Sequence, residues 1–267
     1  MNESSPVTSV QNSMVKHAYS LKNPKKVKES LDFLCEGFHL VGEAFTSGLN
    51  IRFVFATPEA QATPEGRKLF ELSRKEKTRW IPVNSKIIAY VSDTTTPQGI
   101  LAVAQKPAPR WPQGPLSLVL CLDRLQDAGN VGTLFRSAEA FGAQGVLLTE
   151  GCCDLFNPKV VRASMGSIFR VPFQTDQPWG VYSTWLKEQG VVSLALTGNS
   201  ESSLWDFSLP KSVGLWVGSE GAGLSEEIMG NCDARVKIPM VGKVESLNAG
   251  VAGSLALCVA RQRLPVS

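Results

Sequence analysis

The chain has 267 residues, of which 43% are hydrophobic and 19% charged. That balance buries a core and excludes a disordered chain. No apolar run reaches the roughly 18 residues of a membrane span, and the first thirty residues lack the apolar centre of a secretory signal. The net charge of +3 is unevenly shared: residues 1–110 hold 15 Lys+Arg against 10 Asp+Glu, and residues 111–267 hold 12 against 14. A basic first part points to an anionic partner, against the plainer reading of chance surface charge. Six cysteines stand at 35, 121, 152, 153, 232 and 258, without a C-x-x-C pair, and only His17 and His39 accompany them. This set does not make a zinc cluster, so no metal is expected. The cysteines read as ordinary thiols of a reducing cytoplasm; the vicinal Cys152–Cys153 pair is the one with a spacing for redox chemistry.

The first ten residues read as a loose tail. Pro24–Phe33 has helical spacing in Val27, Leu31 and Leu34. Ile51–Phe55 reads as a strand, Pro64–Lys77 as a charged helix, and Trp80–Val83 and Gly99–Gln105 as strands. Residues 11–105 therefore form a small α/β domain. Residues 106–116 are a linker: Lys106–Pro115 carries four prolines in ten residues, and proline removes backbone donors. From 117 to 267 the pattern is more regular. Strands are expected at Ser117–Leu122, Gly145–Leu148, Val191–Leu196, Val213–Val217 and Val236–Ile238. Helices are expected at Val131–Phe141, Trp179–Gln189, Ser225–Met229 (capped by Ser225) and Leu247–Arg263. The β-α alternation calls for a parallel sheet flanked by helices.

Phosphate-loop and serine-elbow motifs are absent. Gly218-Ser-Glu-Gly-Ala-Gly223 follows a strand, but its glycine spacing is not that of a dinucleotide loop. Three clusters remain. Asn130-Val-Gly-Thr-Leu-Phe-Arg136-Ser-Ala-Glu-Ala-Phe-Gly142 sets Asn130 where a helix begins, as a cap or a ligand. Arg136 lies among small and apolar neighbours, where it should be paired or bind an anion. Gly218-Ser-Glu220-Gly-Ala-Gly-Leu224 holds Glu220 in a tight turn. Ile238-Pro-Met240 leads to Ser246-Leu-Asn248-Ala-Gly-Val-Ala-Gly-Ser254, where Ser246 could cap the final helix and the small residues imply close packing or a ligand against the backbone.

Taken together, in this order and spacing, the clusters resemble the three motifs of the SPOUT superfamily of methyltransferases, in its SpoU (TrmH-like) branch of RNA ribose 2′-O-methyltransferases. The resemblance covers roughly 117–264. Residues 11–105 are more loosely similar to the family's N-terminal substrate-binding domain, which is related to a ribosomal-protein RNA-binding fold. The resemblance implies an α/β catalytic domain with a deep trefoil knot, a homodimer, and S-adenosyl-L-methionine as cofactor. It implies cofactor contacts at Leu196, Thr197, Gly198, Gly218, Ile238, Met240 and Leu247. Arg136 would act on the substrate phosphate and the ribose hydroxyl, with Asn130, Glu220, Ser246 and Asn248 orienting the site. Lys16, Lys22, Lys25, Lys26, Lys28 and Arg52 would meet RNA phosphates, or form a solvated face. The implied activity is 2′-O-methylation of ribosomal RNA, of the large subunit by preference, in the cytoplasm. The alternatives are a tRNA enzyme and, in another class, a non-catalytic RNA-binding or assembly factor.

Overall fold

The computed structural model describes residues 6–264. In chain order these form α1 (Ser13–Ser20), α2 (Pro24–Glu29), β1 (Asp32–Glu36), α3 (Phe38–Thr46), β2 (Ile51–Ala56), α4 (Pro58–Ala62), α5 (Pro64–Lys75), β3 (Arg79–Pro82), α6 (Ser85–Val91) and β4 (Ile100–Gln105). There follow β5 (Leu118–Leu122), α7 (Ala128–Ala140), β6 (Gly145–Thr149), α8 (Pro158–Ser164), α9 (Ser167–Arg170), β7 (Phe173–Gln177) and α10 (Trp179–Glu188). The last elements are β8 (Val192–Leu196), β9 (Val213–Val217), α11 (Glu226–Asn231), β10 (Ala234–Val236) and α12 (Ala249–Arg263). Internal contacts divide the chain into two units. The first runs through Ala108 and takes in Asp154–Arg170; the second is Pro109–Cys153 and the chain from Val171 onward.

The first unit is a four-stranded sheet in the order β1-β4-β2-β3, with β4 antiparallel to both its neighbours and β2 parallel to β3. Asparagine and threonine side chains open its helices: Asn12, Asn23, Thr57, Thr63 and Asn84 each accept from a first-turn N–H. The helix expected over Pro24–Phe33 stops at Glu29, because Ser30 turns extended and Phe33 and Leu34 pair with Ala104 and Val103 of β4. Strand pairing overrides the local helical spacing there. The tail expected over 1–10 is only partly described. Residues 1–5 lie outside the described residues, whereas Val7 pairs with Val83 and its N–H donates to the Pro82 carbonyl at 2.9 Å.

Segment 154–170, counted with the second domain in the sequence, packs into the first unit. The Phe33 ring meets Phe156 and Phe169 at 4.9 and 5.6 Å between centroids. Arg162 pairs with Asp93 at 2.8 Å, and Arg170 pairs with Glu43. The proline-rich stretch is anchored at both ends. Lys106 donates to the Val27 carbonyl at 2.6 Å inside the first unit, and its burial lowers its pKa. Trp111 packs at a tilt against Trp185 (4.7 Å between ring centroids) inside the second unit, where a Cβ on Gly145 would lie 2.2 Å from Pro112.

The second unit is a six-stranded, wholly parallel sheet in the order β10-β8-β9-β5-β6-β7. Its central strands β5, β6 and β9 are buried along their whole length, as the continuous apolar runs require. Val119, Cys121, Leu147 and Trp216 face one way, against Trp179, Tyr182 and Leu186 of α10 and Ile228 of α11. On the other face α7 and α12 pack together, with α12 on β9 and β5. Small residues set that approach: a Cβ on Gly253 would lie 2.4 Å from Leu134 and 3.2 Å from Val217. The carboxyl ends of all six strands point one way, which is where open α/β sheets bind ligands.

Candidate active site

The first cluster follows β5. Helix α7 opens at Ala128, three residues before the expected start, and its cap is Asp127, whose Oδ1 accepts from the Asn130 N–H at 2.8 Å. Asn130 is therefore not the cap. It is the third helical residue, 7% exposed, and its Nδ2 donates to Glu220 Oε1 at 2.7 Å. A buried amide needs such a partner. Arg136 lies on the exposed side of α7, and its guanidinium makes no hydrogen bond or ion pair among the described residues.

The second cluster is the turn after β9. Ser219 and Gly223 exchange backbone hydrogen bonds of 3.1 and 2.9 Å, with Gly223 at φ +67°. Gly218 is obligatory: an added Cβ would lie 2.2 Å from the Gly223 carbonyl carbon and 2.3 Å from the Leu224 nitrogen. The turn carries Glu220 back to Asn130. Beyond it, the Ser225 N–H donates to Asp123 Oδ2 at 2.7 Å. Ser225 holds the cap position of α11, but its side chain makes no capping bond.

The third cluster follows β10, which ends at Val236 rather than Ile238. Ile238, Pro239 and Met240 lie beyond the strand. Ser246 is exposed and does not cap the final helix. Asn248 does, accepting from the Val251 N–H at 3.1 Å, so α12 begins at Ala249 rather than Leu247. The small residues behind it bring backbone close: a Cβ on Gly250 would sit 2.9 Å from Asn130 Oδ1. One turn on, Ser254 meets Ser137 of α7 at 2.7 Å.

Leu196 ends β8 with Thr197 and Gly198 directly after it, Gly218 follows β9, and Ile238–Met240 follow β10, so three neighbouring strands deliver all the predicted cofactor residues but Leu247 to one edge. The backbone N–H groups of Gly198, Gly218, Ile238, Met240 and Leu247 have no acceptor among the described residues. Leu196, Ile238 and Leu247 are half-buried beside them. Unused backbone donors with partly covered aliphatic side chains fit a ligand such as S-adenosylmethionine, which offers an adenine and a methionyl group to recognise.

Of the predicted orienting residues, the fold brings together Asn130, Glu220 and the start of α12. It does not join Arg136 or Ser246 to them by a hydrogen bond within the described chain. Two residues escaped sequence reasoning. Asp123, 2% exposed, accepts from Thr149 Oγ1 (3.0 Å) and the Ser225 N–H, tying β5 to β6 and to the glycine turn. Asp127 is the true cap of α7. A carboxylate directly after the apolar run of β5 is the signal that could have found the first. Cys152 accepts from the Leu125 N–H at 3.3 Å, and burial pushes its thiol up to about 12, which suits a structural thiol rather than a reactive one. In the first unit, Lys16, Lys22, Lys25, Lys26 and Lys28 lie on or beside α1 and α2, with Lys26 paired with Glu29 at 3.3 Å, and Arg52 on β2 is paired with Asp32 at 3.2 Å.

Comparison with known proteins agrees with this geometry. Residues 117–258 match the SpoU rRNA Methylase family, and residues 12–102 match an MRM3-like substrate binding domain. The chain is 30% identical to the 23S rRNA (guanosine(2553)-2′-O)-methyltransferase RlmP of Bacillus subtilis, over 93% of this chain and 96% of that protein. Its fold is similar to that of an AdoMet-bound rRNA methyltransferase from Sinorhizobium meliloti (TM-score 0.85, 29% identity, 98% of each chain). It is also similar to the SpoU methyltransferase AviRb from Streptomyces viridochromogenes in complex with AdoMet (TM-score 0.86, 27% identity, 95% of this chain and 98% of that one). With its three motifs gathered at the strand ends and its match running through them, the chain belongs to the SpoU rRNA methylase family.

Proposed function

We propose that this protein is an S-adenosylmethionine-dependent RNA 2′-O-methyltransferase acting on ribosomal RNA, with the large-subunit RNA as its substrate. The observation that carries this reading is the convergence of the three motifs at one sheet edge, where Asn130 and Glu220 join at 2.7 Å beside unengaged backbone donors. The 23S rRNA activity named for the Bacillus subtilis relative supports the choice of RNA.

When bound, S-adenosylmethionine supplies an electrophilic methyl on its sulfonium. The donors at Gly198, Gly218, Ile238, Met240 and Leu247, with Leu196 and Thr197 beside them, would hold it. Glu220, fixed by Asn130, steadies the glycine turn against the cofactor edge. Asn248 sets the start of α12, and Ser246 lies exposed in the approach to it, available to the ribose. Arg136 contacts the phosphate next to the target ribose. Its charge lowers the pKa of the 2′-hydroxyl; a guanidinium that stays protonated favours this role over that of proton acceptor. The exposed, unpaired state of Arg136 supports a homodimer in which Arg136 serves the partner's cofactor site. Val251 and Leu255 of α12, with Val241 and Val244 of the preceding loop, are exposed apolar residues suited to that contact. No described helix is long and apolar enough to cross a membrane; this reading sets the protein in the cytoplasm, with an rRNA-containing organelle as the alternative. The first unit docks the RNA and the second carries out the transfer.

The test is transfer of labelled methyl to unmodified RNA, followed into large rRNA, small rRNA and tRNA. Label in large rRNA, recovered as an alkali-resistant dinucleotide, supports the reading. Label in tRNA moves the substrate class, and no label with S-adenosylmethionine still bound replaces the enzyme with a binding factor.

A further inference from the structure

Two tyrosines of the first unit, far apart in sequence, are stacked at its surface. The rings of Tyr19 on α1 and Tyr90 on α6 lie 4.3 Å apart between centroids and only 10° from parallel. They remain 45% and 37% exposed. Tyrosine presents a flat π-face, so an exposed pair with parallel rings offers a surface on which a further ring can stack. Its surroundings are cationic. Lys22 donates to the Tyr90 carbonyl at 3.1 Å, with its Nζ 5.2 Å from the Tyr19 ring centroid. Lys16 precedes Tyr19 by three residues and Lys86 precedes Tyr90 by four, so each exposed lysine shares a helix face with its tyrosine. No acidic residue occurs from Ser4 to Lys28 or from Lys77 to Ser92, the stretches that supply both helices.

We infer that Tyr19 and Tyr90 form a stacking platform for an unpaired nucleobase of the RNA, with Lys16, Lys22 and Lys86 meeting the flanking phosphates. This deepens, and rests on, the reading of the protein as an RNA methyltransferase. Every base has a π-face, so a base can extend the tyrosine stack, and the lysine rim answers the backbone charge on either side of it. A double helix keeps its bases stacked on one another, so the platform selects a loop, bulge or single strand. It thereby adds a condition on RNA structure beyond those set by the methyl-transfer residues.

The experiment uses the full chain. Binding is measured by fluorescence of a single-stranded RNA oligonucleotide carrying 2-aminopurine, and methyl transfer is measured separately on unmodified large rRNA. Tyr90→Ala and the Tyr19→Ala/Tyr90→Ala double variant should weaken oligonucleotide binding about tenfold or more and abolish the quenching caused by stacking. Tyr90→Phe should retain both. Lys86→Ala, which leaves the rings in place, should lower the salt dependence of binding by about one counterion. In transfer, the alanine variants should raise the KM for RNA while kcat and S-adenosylmethionine affinity hold. Wild-type quenching and affinity in the alanine variants would overturn the platform, as would equal losses in the alanine and phenylalanine variants. If the wild type quenches 2-aminopurine but transfers no methyl to any RNA, the platform stands and the enzymatic reading falls.

Discussion

Replacing Gly218 by alanine puts one methyl group where the structure has backbone. The new Cβ would stand 2.2 Å from the Gly223 carbonyl carbon, 2.3 Å from the Leu224 nitrogen and 2.5 Å from the Gly223 oxygen. Non-bonded carbon contacts settle near 3.5 to 4.0 Å, so the 223–224 peptide must retreat by about 1.5 Å. It is not free to do so. Ser219 and Gly223 hold it by two reciprocal hydrogen bonds, and Ser225 is tied to the buried Asp123 carboxylate. Losing two backbone bonds costs about 1 to 3 kcal/mol net, and residual overpacking adds about 1 to 3 kcal/mol. We expect Gly218→Ala to lower stability by about 2 to 6 kcal/mol in urea unfolding and to weaken S-adenosylmethionine binding at least a hundredfold in calorimetry, because the displaced turn belongs to the cofactor edge. Gly221→Ala is the control. It lies in the same turn, but its Cβ would meet nothing within 4 Å, so both measurements should stay near wild type. A Gly218→Ala protein with wild-type midpoint and affinity would refute the argument that this close approach shapes the site.

Other expectations follow from the same geometry. Arg136→Ala should reduce methyl transfer about a hundred- to a thousandfold, with S-adenosylmethionine affinity unchanged in calorimetry; loss of cofactor binding would remove its assigned role. Asn130→Asp would set a carboxylate against Glu220 across a 2.7 Å contact. Its unfolding midpoint should drop near neutral pH and recover as the pH falls below about 5, where one of the two carboxylates takes a proton; a pH-independent midpoint difference would count against direct carboxylate repulsion. Burial raises the Cys35, Cys121 and Cys152 thiols above their ordinary value near 9, with Cys152 at about 12. Their stabilising contribution should be whole below pH 9 and lost as the pH climbs toward 12, because the unfolded chain releases those protons first. Cys152→Ala should flatten part of that alkaline decline, and identical alkaline slopes in variant and wild type would oppose the account.

Much of the second unit was legible as strings of residue types. Apolar runs such as Leu118–Leu122 and Val213–Val217 can satisfy their side chains only in strands covered on both faces, and the structure makes them β5 and β9. The three clusters were legible for a related reason: glycine and small residues in fixed order mark where backbone must approach backbone or ligand. Short elements were harder. Leu34 carries helical spacing with Val27 and Leu31, yet β4 recruits it, with Phe33, into β1, because pairing energy comes from a partner some seventy residues away in the chain.

The sequence by itself determined the alternation of strands and helices, the basic character of the first part and the order of the motifs, since these depend on side chains and their near neighbours. Only the tertiary structure decided which residue caps which helix, and hence that Asn130 is released from capping to hold Glu220, and that Asp123 ties the glycine turn to β5. The same holds for segment 154–170, whose Phe156 and Phe169 complete the core around Phe33, and for Tyr19 and Tyr90, whose stacking joins helices that chain order keeps apart. Hydrogen bonds and ring contacts between distant residues depend on where the packed layers bring them, and no local pattern carries that distance.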